Sequence, residues 1–504
     1  MNLHRHGIAL AALLALTNAP GIARAFDTCP ADSVADGYTC DEQTGVGKNG
    51  GYFRVTFPSD WDGDLIIANH GFDLNDKHIR PHGTCLSDPS KQTTCASDSD
   101  CPSGDTCNEI SYMGLDQVLL PMGKAIAAGT YHESGWAVFG APKDLKDIID
   151  YVKKSSGRGG ELKRVIITGF SGGGAVTGQA TLTMKIDGAV PLCAAVGGGL
   201  PTWDVAMDIR MVYDFLCDGV AGAKFASKPD MGEANTQNSG ADAQSMALKV
   251  DTCLGMLGVM PGDATAQQQR LDDFLALTDF AGVKDYVPGG SFPPAYSSGI
   301  NLASAMGFAT LGLGDFVRDP ERLGSKPVGL NDGLDYASMG SDATLAGQLD
   351  AGIKRLTKGA GRSKLAKASW PDFVKGKGAK VGYPIMLMSG ANDWLVIPEF
   401  GRVYTKALDL GNKDYLQTWT DPFGHCVFTA EETTAIFHKY FDWLGPVGGA
   451  RGTKPTVQDV EDECVAEGGV IGDSCNFNKT FTPNYVANRI PVRPDWPEAA
   501  KATN

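Results

Sequence analysis

Beyond its first 25 residues the chain lacks any apolar run approaching the about 20 residues that span a bilayer, so no membrane span is expected. It is also short of positive charge: 44 Lys and Arg stand against 59 Asp and Glu, a formal charge of −15. A balance of that sign repels polyphosphate, which disfavours general nucleic-acid binding and a polybasic role at a membrane surface. The 64 glycines follow no G-X-Y period, which excludes a collagen-like chain and suggests one rich in loops. No internal repeat is present. Histidine is scarce, and none lies near a cysteine pair at zinc-finger spacing; His82 and Cys85 lack a second partner set. No metal centre and no cofactor is therefore expected.

What is present is ordinary for a folded chain: 42% hydrophobic and 20% charged residues over 504 positions, enough apolar material for a sizeable core. The length suggests about three units at roughly 150 residues each, though one large domain with an insertion fits equally well. The first 25 residues read as a secretory signal, with a basic start at Arg5, an apolar run from Ile8 to Leu16 and an A-x-A cleavage site at Ala23-Arg24-Ala25. Cleavage would leave a mature chain starting at Phe26, soluble, and secreted or periplasmic. Losing Arg5 and Arg24 would move its charge to −17. All 12 cysteines follow this leader, and an even count in an exported chain reads as up to six disulfides. Cys29–Cys40 and Cys464–Cys475 are candidates by proximity alone. The segment Cys95–Cys107 holds three cysteines and three aspartates. A calcium site from Asp98, Asp100 and Asp105 is conceivable, but EF-hand spacing and its terminal Glu are absent, and a disulfide-pinned solvated loop is the simpler reading.

The hydrophobic pattern alternates between two periods. Gly51 to Trp61 alternates apolar and polar residues, as a half-buried antiparallel strand does. Continuous apolar runs at Leu65–Ala68, Trp136–Phe139, Val165–Thr168 and Ala189–Val196 read as strands buried on both faces. Between the second and third of these, Leu145, Ile148, Ile149 and Val152 recur at helical spacing. The pattern lapses over 200–380, which includes a Pro/Gly-rich stretch at 287–299 and a small-residue apolar run at 300–313. It resumes at Ile385–Met388 and Tyr415–Thr420, followed by a helix over Ala430–Leu444 with a Thr429/Glu432 capping box. The expected fold class is α/β: a mostly parallel sheet with helices on both faces, interrupted by an inserted lid. The expected division is a leader (1–25), a first core part (26–200, with the Cys-rich loop 85–107), a lid (201–380), a second core part (381–446) and a C-terminal extension (447–504) that wraps the surface.

Gly169-Phe170-Ser171-Gly172-Gly173 matches G-x-S-x-G, a pattern weak alone but here placed between a β-branched strand and a helix-compatible stretch. A tight turn there lifts the Ser171 hydroxyl clear of the sheet, and a helix N-terminus favours a developing oxyanion. Serine needs a base. Six histidines follow the leader (70, 78, 82, 132, 425 and 438), and in the chain order serine, acid, histidine only His425 and His438 qualify. His425 lies in a loop after the last strand, whereas His438 falls mid-helix beside core positions and reads as structural. Asp393, in the turn after Ile385–Met388, is the favoured orienting acid; Asp421 is only four residues from His425 and too close to orient its ring. The oxyanion donors would be the backbone N–H groups of Gly172 and Phe72, with His70 shaping the second loop.

Four separated motifs, HGF, GFSGG, SGANDWLVIP and GHC, occur in the order found in the α/β-hydrolase superfamily, which the chain resembles over about 51–200 and 381–446. The resemblance implies a mostly parallel eight-stranded sheet carrying a Ser-Asp-His triad. The His425-Cys426 pair is also similar to tannases and feruloyl esterases, in which a cysteine beside the nucleophile bonds the cysteine beside the histidine. Here Phe170 precedes Ser171, so Cys426 must pair elsewhere or stay free. The activity expected is hydrolysis of carboxylic esters, small or polymeric, through an acyl-enzyme. An exported peptidase or amidase would use the same triad. A non-catalytic binding protein is disfavoured by three triad residue types in order. Oligomeric state is not legible in the sequence.

Overall fold

The computed structural model describes residues 39–41, 51–72 (less 52), 84–85, 101–102, 107–108, 112–226 (less 133–134), 239–278 (less 256–257), 323–369 (less 324–325, 340–341 and 358), 381–404 (less 394, 399 and 402–403), 414–481 (less 423) and 493. The leader, His78, His82, the aspartates of the Cys-rich loop and the stretches 287–299 and 300–313 lie outside these.

Eight strands form one sheet: β1 (Thr39–Asp41), β2 (Phe53–Phe57), β3 (Asp64–Asn69), β6 (Ala125–Gly129), β7 (Arg164–Phe170), β8 (Gly188–Leu192), β9 (Ile385–Gly390) and β10 (Tyr415–Thr420). Their order is β1-β2-β6-β3-β7-β8-β9-β10. β2 runs antiparallel to both its neighbours, and every pairing from β6 to β10 is parallel. Two short strands, β4 (Thr84–Cys85) and β5 (Cys107–Asn108), pair separately. This is the α/β arrangement expected, an eight-stranded, mostly parallel sheet.

The continuous apolar runs follow from burial on both faces. Leu65, Ile67, Ala125, Ala127, Val165, Ile167, Ala189, Ile385 and Leu387 point into one core layer, while Ile66, Ala68, Ile126, Ala128, Ile166, Val190, Met386 and Met388 point into the other. The first layer is closed by α2 (Ala141–Lys154) and α3 (Gly172–Thr183); the second by α1 (Asp116–Leu119) and α9 (Ala430–Leu444). α9 starts with the expected capping box: Thr429 Oγ1 accepts from Glu432 N, and Glu432 Oε2 accepts from Thr429 N. Among the described residues no helix is long and apolar enough to cross a membrane.

Between β8 and β9 the described chain contains no strand and five helices: α4 (Gly199–Leu216), α5 (Ser239–Leu254), α6 (Ala264–Thr278), α7 (Ala343–Gly352) and α8 (Arg362–Ser369). α4 carries two buried carboxylates. Asp204 takes a bidentate pair from Arg362 at 2.6 and 2.8 Å, and Asp208 takes one from Arg493 at 2.6 and 2.7 Å. Arg493 is fully buried against this helical region. A disulfide, Cys217–Cys253, joins the end of α4 to α5.

Three sequence expectations are corrected. Trp136–Phe139 is not a strand: Ala137–Phe139 is a 3₁₀ turn leading into α2, and the strand at that place in the sheet is β6, whose alanine- and glycine-rich sequence carries almost no β-branched signal. β2 is buried along its whole length rather than on one face: α2 packs on Phe53, Val55 and Phe57, and on the side read as solvent-facing Arg54 and Thr56 are covered as well, with Thr56 Oγ1 2.8 Å from the Tyr112 hydroxyl. The C-terminal extension is not only a surface wrap. It contains α10 (Val457–Ala466), started by a Thr456/Asp459 capping box and packed on α9 through Val460 and Cys464. Cys464–Cys475 is bonded as proximity suggested. Cys29 lies outside the described residues.

Candidate active site

Ser171 stands between β7 and α3 with φ 55° and ψ −117°, a conformation L-residues rarely hold outside a forced turn. Its N–H donates to Leu192 O on neighbouring β8, and its own carbonyl accepts from Ala175 N as α3 begins. The flanking glycines are required. A Cβ on Gly173 would lie 2.0 Å from Asn69 O, and one on Gly169 2.6 Å from Asn69 Cβ. The unpaired N–H groups of the first turn of α3 sit immediately beyond the serine.

The HGF segment leaves the end of β3 directly beside this elbow. A Cβ on Gly172 would be 2.8 Å from Phe72 N, and one on Gly71 4.0 Å from Ser171 Oγ. The two backbone amides expected to serve together are thus neighbours. The Phe72 ring rests on Trp203 and Trp136, with centroids 5.9 and 6.4 Å away. His70 is not near a base's role: its Nδ1 lies 2.9 Å from Gly71 O, and its ring packs on Tyr131.

Asp393 is fully buried in the turn after β9. Its Oδ1 accepts from the N–H groups of Leu395 and Val396, both at 2.9 Å, and its Oδ2 meets His425 Nδ1 at 2.7 Å. One oxygen is fixed by the turn and the other is left for the ring. His425 lies in the loop between β10 and α9, its side chain almost wholly buried. Its Nε2 is 3.4 Å from Cys426 Sγ, and Ser171 Oγ is not hydrogen-bonded to the ring.

Cys426 is bonded to Cys193, just past the end of β8. Both cysteines have positive φ, 56° and 39°. Because β8 lies beside β7, with Leu192 opposite Phe170, the bond draws the histidine loop toward the rim that carries Ser171. The partner of Cys426 is open in the sequence; the usable signal is a cysteine closing the strand next to the one that leads to Ser171.

The rival residues are occupied elsewhere. Asp421 Oδ1 accepts from Asn478 Nδ2, and its carbonyl accepts from Asn392 Nδ2, while the Nδ1 of His425 is taken by Asp393. His438 Nδ1 lies 2.9 Å from Glu463 on α10 and 3.0 Å from Glu467 at its C-terminal cap, a contact between α9 and α10.

No protein-family profile and no curated protein matches the sequence. Solved structures similar to it include an esterase from Pyrococcus furiosus, 12% identical with a TM-score of 0.37 over 85% of this chain and 98% of that one. Feruloyl esterase B from Aspergillus oryzae is 15% identical, with a TM-score of 0.35 over 79% and 75%. An acylaminoacyl peptidase from Pyrococcus horikoshii is 8% identical, with a TM-score of 0.37 over 84% and 44%. Values this low leave the reaction to be read from the chain's own residues.

Proposed function

We propose that the chain is an exported serine hydrolase of carboxylic esters, with Ser171 as nucleophile, His425 as general base and Asp393 as its orienting acid. The observation that carries this reading is the 2.7 Å contact between His425 Nδ1 and a buried carboxylate whose other oxygen is already committed to two backbone N–H groups. That arrangement holds the proton on Nδ1 and leaves Nε2 to accept one. In this scheme Nε2 takes the Ser171 proton as Oγ adds to the ester carbonyl, and Asp393 stabilises the imidazolium. The N–H groups of Gly172 and Phe72 receive the negative charge that develops on the carbonyl oxygen. His425 then protonates the departing alcohol, and water activated by the same ring hydrolyses the acyl-enzyme. Residues 201–380 would form a lid over this rim, which suits a bulky or polymeric acyl donor. No protein or nucleic-acid partner is required.

The test is labelling of the purified protein with a fluorophosphonate, followed by peptide mapping, beside a panel of esters and anilides of graded acyl length. The expected result is a label on Ser171, turnover of esters, and none of either in Ser171→Ala. A label confined to another residue in active protein overturns the assignment. Turnover of anilides at rates matching the esters replaces the ester reading with a peptidase or amidase one.

A further inference from the structure

Resting on the hydrolase reading above, we infer that Tyr131 is a positioning residue for the oxyanion loop, acting through its hydroxyl on the segment that presents the Phe72 N–H. Tyr131 follows β6, the strand paired with β3, and it holds φ at 55°, in the left-handed region that non-glycine residues rarely occupy. The turn is fixed from the next residue. His132 donates its backbone N–H to Asp144 Oδ2 at 3.1 Å, and its ring Nδ1 meets the same oxygen at 2.7 Å. Asp144 lies in the first turn of α2, where a carboxylate also suits the helix dipole. A strained residue kept in place by a buried helix-anchored contact is an arrangement with a purpose to be sought.

The side chain shows what that purpose is. Tyr131 is buried, and its hydroxyl lies 3.2 Å from Asn69 Oδ1 and 3.3 Å from the His70 carbonyl, donating toward both. The Asn69 amide is itself oriented by the bond from its Nδ2 to Thr168 O at 2.9 Å, so Oδ1 is the atom left to accept. The Tyr131 ring also packs on the His70 imidazole, with centroids 4.4 Å apart. One side chain thus holds residues 69 and 70 while the chain turns toward Phe72, two positions later. Burial, with Asp144 adding to it, pushes the phenol well above its usual range, so the hydroxyl keeps its proton as a donor throughout the working pH range.

An N–H displaced by a fraction of an ångström loses transition-state stabilisation while ground-state binding is spared, since the oxyanion exists only in the tetrahedral state. The experiment is Tyr131→Phe, which keeps the ring and its stacking and removes the one oxygen. The readouts are kcat, KM and the inhibition constant of an alkylboronic acid, whose adduct with serine is tetrahedral. The expected result is a fall in kcat of about 10-fold or more with KM within about twofold, and a matching loss of boronate affinity. Values of kcat and boronate affinity within twofold of wild type overturn the inference, as does a loss expressed in KM alone. Asp144→Asn, which weakens the grip on the turn but leaves Tyr131 whole, gives a second measurement should Tyr131→Phe fold poorly. It is expected to lower kcat and boronate affinity together by a smaller factor, and unchanged values there count equally against the inference. Wild-type protein that hydrolyses no ester, or is not labelled on Ser171, is instead a failure of the hydrolase reading.

Discussion

The elbow carrying Ser171 is built from residues within a few positions of it, whereas the loop bearing His425 is held by parts of the chain far away in sequence. The elbow consists of β7, the glycines at 169, 172 and 173, and the start of α3, and it is seated against Asn69 of β3 and on β8 through the bond from Ser171 N to Leu192 O. The histidine loop is tied at Cys426 to Cys193 across 233 residues. It is also steadied from the outer edge of the sheet by the C-terminal extension, where Asp421 N donates to Asn476 O and Thr420 bridges to Phe477. A serine elbow built locally survives distant changes. A histidine loop held by long-range contacts is the part that mutation, reduction or loss of the tail should disturb first.

The largest effect should come at the local side. Ser171→Ala is expected to lower kcat by about 10⁶-fold, leaving the residual rate that binding and the oxyanion donors supply. Its stability should be near wild type, because the elbow is formed by backbone and glycines. Ser171→Gly should be the more stable of the two variants by about 1 kcal/mol, since glycine takes positive φ without strain; equal melting temperatures would contradict a strained elbow. Next in size is Asp393→Asn. The turn bonds from Leu395 and Val396 can persist on the amide oxygen, while the ring loses its charged partner, and kcat should fall by about 10⁴-fold with little change in KM.

Removing the long-range tie sharpens the comparison. With Cys193 and Cys426 both replaced by alanine, kcat should fall by about 10- to 100-fold as the ring loses its fixed position. Stability should fall by about 5 kcal/mol. Replacing Cys464 and Cys475 in the same way should cost about 3 kcal/mol, the shorter loop giving the smaller entropic effect, with kcat within about threefold. Slower fluorophosphonate labelling in the first double variant, set against unchanged labelling in the second, is the direct check. Equal losses of activity in both would mean that the histidine loop does not depend on its own disulfide.

The same division explains what could be read from sequence. The strands buried on both faces announce themselves as apolar runs, and the elbow, the acid turn and the α9 capping box each sit within a few residues, where spacing carries the geometry. β6 was hidden because alanines fill a crowded strand without the β-branched signature. α10 was hidden behind the Gly- and Pro-rich stretch that precedes it, although Thr456 and Asp459 carry its start signal. The Cys193–Cys426 bond and the contact of Tyr131 with residues 69 and 70 join places that only the folded sheet makes adjacent. Pairing across strands depends on strand order, and strand order is not written in any local window.

The smallest expected effect tests the outer support of the histidine loop. Asn478 Nδ2 donates to Asp421 Oδ1 at 2.7 Å, while Asn478 Oδ1 separately accepts from the N–H groups of Thr480 and Phe481. Asn478→Asp keeps those acceptor bonds and sets one carboxylate against another, so the change isolates the contact with Asp421. It should cost about 1–2 kcal/mol near neutral pH and lower kcat by no more than about threefold, because Asn392, beside Asp393, still donates to the Asp421 carbonyl. The sign of its pH dependence follows from the like charges. One carboxyl of the pair should titrate higher in the folded protein than in the unfolded chain, so the native state binds more protons and the loss should shrink as pH falls below about 5. Melting temperatures of variant and wild type measured from pH 4 to 7 check this. A drop in kcat as large as that of the Cys193 and Cys426 double variant would instead make the tail, and not the disulfide, the main hold on His425.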